Sequence, residues 1–233
     1  MSEPKIINFV ILAAGIGYKM RSYEPRSLLK FDKIPLIIHQ IKEIQKLESK
    51  EFCPRIFVIT GYRGDRISKK LAKEKVIIVN VDEYEKSNQY GSIRALKFIH
   101  TSMYGRPLDN IFLIHGDIYF QTDLGALPYD SSFILYDTKD RFKAKEVGVN
   151  IGDGLGSLSY GAKTKWCQMA YVNDPEMKLM NNNEDRFEDF MLTFEVINQI
   201  VNSGGRFETI LYEGKIFEID RIKEYRIEKF NFV

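Results

Sequence analysis

The chain has 233 residues, enough for one large α/β domain or two small ones with a substantial core. Its 34 Lys and Arg against 32 Asp and Glu leave a formal net charge of +2, which excludes binding to nucleic acid through a strong basic excess. With 44% hydrophobic and 28% charged residues it is not a disordered chain, and its longest apolar run, residues 9–14, is far below the ~20 of a membrane span.

Residues 6–12 are apolar apart from Asn8, which predicts a strand buried on both faces. A loop is expected from 13 to 33. Pro35 then opens a helix whose stripe is Leu36, Ile37, Ile41, Ile44 and Leu47. Residues 55–60 read as a second strand, Ile67 and Leu71 as a short helix, and 76–81 as a third strand. Lys69, Lys70, Lys73 and Lys75 read as a solvated face. Ile93, Leu96, Ile99 and Met103 recur at helical spacing, and 111–115 form a strand running into Gly116-Asp117.

The rhythm changes after about residue 130. Short strands are expected at 133–136, 146–151, 157–161 and 167–172, with Gly152-Asp153-Gly154 as a hairpin turn. One long helix is expected to carry Phe187, Phe190, Met191, Phe194, Ile197 and Val201 and to end at Gly204-Gly205. Two strands near 206–212 and 216–219 and a helix from about Arg221 close the chain. The alternation predicts an α/β protein with a Rossmann-like, mostly parallel central sheet flanked by helices and a mixed, antiparallel extension. No linker or repeat interrupts it, so residues 1–233 read as a single domain. Two parts can be told apart within it, about 1–130 and about 131–233, the second with the closing strand and helix.

The most informative segment follows the first strand: Leu12-Ala13-Ala14-Gly15-Ile16-Gly17-Tyr18-Lys19-Met20. Two glycines two apart let backbone turn tightly beside a ligand at the carboxyl end of a strand, and such a loop can aim amides at phosphates. A dinucleotide-binding loop would need a third glycine opening a helix at once, and Met20 stands there instead. Hydride transfer is therefore disfavoured. Two cations follow, Lys19 and Arg26, the second stiffened by Pro25.

These residues, with Leu28 and Pro35-Leu36-Ile37, resemble the signature of nucleotidyltransferases that activate sugar phosphates and phosphocholine, a group of GT-A-like fold. Gly91-Ser92-Ile93-Arg94-Ala95-Leu96 is similar to that family's base-binding segment. Leu113-Ile114-His115-Gly116-Asp117 resembles its metal-binding element, and Ile219-Asp220 with Glu224-Tyr225 its closing element. The tail Lys215-Ile216-Phe217-Glu218-Ile219-Asp220, and Asp82-Glu83-Tyr84 leading to Asn88 and Ser92, are most similar to the small bacterial cytidylyltransferases that make CDP-choline. The family's arginine and lysine are exchanged here as Lys19 and Arg26, and lysine is a point charge where arginine is a planar fork.

The resemblance implies attack by an acceptor phosphate on the α-phosphorus of a nucleoside triphosphate, CTP before UTP, with release of pyrophosphate. It implies Leu12, Ala13, Ala14, Gly15, Gly17, Asn88, Gly91 and Ser92 as nucleotide-binding residues, and Lys19 and Arg26 as catalytic cations. It further implies Asp117 and Asp220 as ligands of Mg²⁺, a hard ion that takes few protein ligands beside substrate phosphates. Read as residues alone, Asp117 could equally cap the segment after its strand, and Asp220 the closing helix. Tyr136, Trp166 and Tyr171, whose faces suit a cationic acceptor, and Lys163 are the expected acceptor-side residues. Alternatives are a nucleotide-binding relative without catalysis and a glycosyltransferase, which would want an Asp-x-Asp that Asp117-Ile118-Tyr119 does not supply. Expected partners are a nucleoside triphosphate and a phosphorylated small acceptor, with no nucleic acid and no membrane, and with a homodimer left open. Two cysteines, Cys53 and Cys167, make no disulfide framework or four-ligand zinc site, and residues 1–5 do not read as a secretory signal, so a cytoplasmic protein is expected.

Overall fold

The computed structural model describes residues 3–18, 24–138, 146–152 and 155–231. Lys19 and Met20, and Asp153-Gly154 of the expected hairpin, lie outside them. In chain order, β1 (Lys5–Ala13) leads through a one-turn 3-10 helix at Arg26–Leu28 to the short strands β2 (Lys30–Phe31) and β3 (Ile34–Pro35). Then come α1 (Leu36–Gln45), β4 (Phe52–Thr60), α2 (Gly64–Leu71), β5 (Ile77–Asn80), α3 (Gln89–Tyr104), β6 (Ile111–His115) and β7 (Ile118–Gln121). The second half holds β8 (Phe133–Asp137), β9 (Val147–Gly152), β10 (Leu155–Tyr160), β11 (Thr164–Val172), α4 (Asp174–Asn182) and α5 (Thr193–Asn202). It ends with β12 (Glu208–Leu211), β13 (Lys215–Glu218) and α6 (Ile222–Asn231).

The elements sort into two compact units, one made of residues 1–84, 114–127 and 214–233, the other of 85–113 and 128–213. In the first unit β5, β4 and β1 lie side by side and pair in parallel, with Phe9 opposite Ile56 and Ile59 opposite Val79. Ile7, Phe9, Val10 and Ile11 of β1 and Phe57, Val58 and Ile59 of β4 are fully buried. Both strands are covered on two faces there, which is why Phe9–Ala13 and Ile56–Ile59 read as apolar runs rather than alternating ones. The α1 stripe is buried as expected. β4 begins at Phe52, earlier than the expected residue 55, and runs through Pro54. A proline fits because β5 pairs only with Phe57–Thr60, so β4 has no β5 neighbour at Pro54 to receive an N–H.

The second unit carries a mixed sheet in the order β11-β8-β12-β10-β9, where β12 and β8 run parallel and the other neighbours antiparallel. β9 and β10 pair antiparallel, with Leu155 opposite Gly152. The expected helix from Phe187 to Val201 is not one element. α5 starts only at Thr193, and a separate α4 precedes it. Residues 187–192 are not helical, because their backbone is engaged elsewhere. Asp189 O accepts from the N–H groups of Asn88 and Gly91, and Met191 O from that of Tyr90. These bonds tie the 189–191 backbone to the start of α3. On α3 itself Met103 is exposed and His100 is buried instead, its Nδ1 3.2 Å from the Arg106 carbonyl.

Two devices in the first unit hold the segment that matters most. The fully buried Gln40 of α1 donates from Nε2 to the carbonyls of His115 and Ile118, both at 2.8 Å, and so fixes the Gly116-Asp117 turn between β6 and β7. A cluster of Leu29, Phe31, Leu36, Tyr119 and Ile219, flanked by Phe217, Ile222 and Tyr225, ties β13 and α6 to the start of the chain. In it Phe217 stacks on Tyr119 at 4.8 Å, Tyr225 meets Phe31 edge-on at 5.4 Å, and the Tyr225 hydroxyl donates to Lys30 O. Gln40→Leu strands two buried carbonyls and is expected to cost about 1–3 kcal/mol, read as a lower urea midpoint at unchanged slope. Phe31→Ala empties the centre of the cluster and is expected to cost roughly 3–5 kcal/mol in the same measurement.

Candidate functional site

The site grows from three chain segments of the first unit. β1 ends at Ala13, and its last carbonyls are held: Gly116 N–H donates to Leu12 O and Tyr62 N–H to Ala14 O, both at 3.0 Å. Gly116 must be glycine, since a Cβ there would lie 2.8 Å from Leu12 O. The loop beyond leaves Gly15 exposed and turns at Gly17 with φ +60°, a left-handed conformation suited to glycine.

β6 delivers the second segment, ending in the Gly116-Asp117 turn. The third arrives by strand pairing. β13 runs antiparallel to β7 with Glu218 opposite Ile118, and Ile219 N–H donates to Asp117 O at 3.0 Å. This pairing carries two more acids to Asp117. Carboxylate oxygens of Asp117, Glu218 and Asp220 lie within 4.8 Å of one another. Asp117 and Asp220 therefore meet, as the motif resemblance implies. Asp220 stands just before α6, where Glu224 accepts from the N–H groups of Asp220 and Arg221, both at 2.9 Å, as the back half of a capping box.

Arg26 completes the group. Its Nη1 contacts Asp117 Oδ2 and lies 2.9 Å from Asp220 Oδ1. Its side chain is 25% exposed, that of Asp117 9%. The stem of Arg26 runs over the glycine loop, so close that a Cβ on Gly17 would meet Nε at 3.1 Å. The motif resemblance implies Arg26 as a catalytic cation. In this structure it is held by two carboxylates, one buried and one partly exposed, and two such acids side by side cost less when they share a guanidinium.

Asp117 Oδ1, by contrast, is buried without a hydrogen-bond partner among the described residues. A buried acceptor left unsatisfied costs about 1–3 kcal/mol unless a ligand uses it. Three carboxylates, one of them with an orphaned oxygen, form an all-oxygen donor set that fits a hard divalent cation such as Mg²⁺. Two of the three histidines are otherwise engaged, His39 Nε2 at 3.0 Å from Phe31 O and His100 as above.

The remaining expected residues belong to the second unit. Asn88 caps α3, its side chain accepting from Gln89 N–H, while Gly91 and Ser92 are buried in the first turn. The Gln89 Oε1 accepts from both the N–H and the hydroxyl of Thr193, so the start of α3 is clamped on two sides. Gly91 packs against Ser87, where an added Cβ would come to 2.6 Å. On the expected acceptor side, Lys163 is exposed and Tyr136 half-buried. Trp166 and Tyr171 are core residues. Trp166 donates from Nε1 to Met169 O. Tyr171 is enclosed by Phe112, Tyr129 and Phe133 at 5.2–6.3 Å between ring centres, and burial pushes its phenol well above its usual pKa. Neither ring has a face open to a ligand.

Sequence reasoning missed Glu218 and Gln40. Glu218 had a legible signal: acid-x-acid along a strand places both carboxylates on one face. Gln40 had none, since one polar residue on an apolar stripe looks like a tolerated exception. A cavity of about 510 Å³ in the first unit, lined by Glu43, Lys46, Ser49, Gln121, Thr122 and Asp123 among others, includes none of the expected residues.

No protein-family model matches the sequence. Among curated proteins, the bifunctional protein GlmU of Acinetobacter baumannii is 34% identical over 110 residues, 47% of this chain and 22% of that protein. GlmU of Baumannia cicadellinicola is 29% identical over 159 residues, 66% of this chain and 31% of that protein. The matched part thus spans less than a third of these relatives. Among solved structures, the CTP:phosphocholine cytidylyltransferase of Streptococcus pneumoniae is similar over 97% of this chain and 99% of its own, with TM-score 0.74 and 19% identity. A putative glucose-1-phosphate thymidylyltransferase from Bacillus anthracis follows at TM-score 0.72 and 15% identity, covering 97% and 95%. The inositol-1-phosphate CTP transferase of T. maritima matches at 0.68 and 16%, covering 97% and 94%. The resemblance carried by four short motifs thus extends along the backbone, and the chain has the fold of the nucleotidyltransferases.

Proposed function

We propose that this protein transfers a nucleoside monophosphate from a nucleoside triphosphate to a phosphorylated small acceptor, releasing pyrophosphate. One observation carries the reading: Asp117 and Asp220, distant in sequence, meet beside the glycine loop with an orphaned oxygen on Asp117. An oxygen of the acceptor phosphate bonds to the α-phosphorus as the bond from that phosphorus to the pyrophosphate oxygen breaks. The nucleophile is already an anion, so no strong general base is needed, and a site built of acids and cations suits that economy. Such a reaction depends on positioning and on offsetting negative charge.

Asp117, Asp220 and Glu218 would hold Mg²⁺, which when bound supplies positive charge to the phosphate oxygens. The loop around Gly15 and Gly17 would approach the triphosphate, and Lys19 would brace its β- and γ-phosphates. Asn88, Gly91 and Ser92 would receive the base. CTP is favoured over UTP: the tail 215–220 resembles cytidylyltransferases, and two of the three similar structures described above bear the names of CTP-using enzymes. Phosphocholine or a sugar phosphate is the proposed acceptor, with Tyr136 and Lys163 on its side and a cytoplasmic setting. With Trp166 and Tyr171 in the core, a choline cage has less to draw on. A second reading, a nucleotide binder without catalysis, is favoured by one observation, the engagement of Arg26 with both aspartates.

Magnesium-dependent pyrophosphate release, measured over CTP, UTP, dTTP, GTP and ATP with phosphocholine and sugar phosphates, separates the two. Release with one pair supports the transferase; nucleotide binding without release from any pair supports the second reading. In an active pair, Asp117→Asn and Lys19→Ala are each expected to slow turnover by about 10²–10³ while the proteins unfold at near-native midpoints. Full activity in either variant would end the assignment.

A further inference from the structure

Arg26 sits where two things the proposed reaction requires would have to go. Its guanidinium lies between Asp117 and Asp220, the carboxylates assigned to the divalent cation, and its stem covers Gly17, in the loop assigned to the triphosphate. We propose that Arg26 is an internal counter-cation, a latch that closes the site when no ligand is bound and competes directly with the divalent cation. The inference rests on the transferase reading for its biological sense, though not for its chemistry.

The local backbone favours motion of the side chain alone. Arg26 opens a single 3-10 turn whose N–H groups are tied: Leu28 donates to Pro25 O at 2.8 Å and Leu29 to Arg26 O at 3.1 Å. Leu28 and Leu29 are buried. Pro25 fixes φ on the other side. The latch therefore opens through the side-chain torsions of Arg26, with its Cα held still.

Electrostatics supply the exchange. In the closed state the Arg26 charge serves two carboxylates, and among the described residues Asp117 Oδ1 has no hydrogen-bond partner. A divalent cation brings twice the charge and can use that oxygen, so it wins at sufficient concentration. The guanidinium it expels, a five-donor fork suited to phosphate, is released next to the triphosphate's expected path. Closing the site without ligand keeps the two aspartates compensated, and opening it delivers a cation to the substrate.

Competition has a measurable signature. A site whose competent state is populated only one-tenth of the time shows an apparent affinity about tenfold weaker than its intrinsic one. In nucleotide-free buffer, Arg26→Gln is therefore expected to bind Mn²⁺ about tenfold more tightly than the wild type by calorimetry. Added guanidinium ion should reverse part of the gain, and Arg26→Lys should fall between. Equal or weaker Mn²⁺ binding by Arg26→Gln, or no binding by either protein, overturns the latch. Should Arg26→Gln not fold, the wild type decides. The Arg26 Nε–Hε resonance, assigned by its loss in Arg26→Lys, should move to the free-arginine position as Mg²⁺ is added. A resonance unmoved at saturating Mg²⁺ overturns the proposal. Tightened Mn²⁺ binding in a protein that never releases pyrophosphate sinks the transferase reading and leaves the latch. Pyrophosphate release with unchanged Mn²⁺ affinity does the reverse.

Discussion

Two carboxylates held in reach of one another repel, and a positive charge shared between them offsets that cost. Asp117 and Asp220 impose that constraint here, and Arg26 meets it. The rest of the first unit can be understood as the apparatus that creates the constraint. β6 and a two-residue turn present Asp117, Gln40 pins that turn from the helix behind, and the pairing of β13 with β7 brings in Asp220 and Glu218. An aromatic cluster around Phe31 and Phe217 then keeps the closing segment in place.

The charge arrangement suits the proposed transfer. Chemistry in which an anion attacks a phosphorus already burdened with negative charge gains from compensation and alignment, not from proton transfer. His39 and His100 serve backbone carbonyls, and the polar resources of the first unit's site are carboxylates, a guanidinium and loop amides. The same resources serve stability when no ligand is bound, since an arginine that offsets two acids also removes the cost of burying them.

The second unit follows a different economy. Its site candidates at the start of α3 are held by main-chain hydrogen bonds from residues 189–193 and by the Gln89–Thr193 contacts, so their placement depends on backbone rather than on charge. Its aromatic residues are largely spent on a core. Tyr90 shows the same tendency: it stacks on Phe187 at 5.2 Å, and burial pushes its phenol up to about 12.

By itself the sequence determined the alternation of buried strands and amphipathic helices in the first half, because strands covered on both faces and helices covered on one leave periodic apolar patterns that no other arrangement needs. It also determined the glycine loop, the acid after β6 and the acid before α6, because turns and strand ends demand particular residue types. Only the tertiary structure decided who meets whom. Residues 187–192 looked helical until long-range hydrogen bonds claimed their carbonyls, although Asn173-Asp174-Pro175-Glu176 already carried a legible start for α4. Trp166 and Tyr171 looked like a binding surface until packing enclosed them. The ion pairs of Arg26 with Asp117 and Asp220 were not legible either, since β13 must first bring Asp220 to Asp117, and that distance is written in the fold rather than in the spacing along the chain.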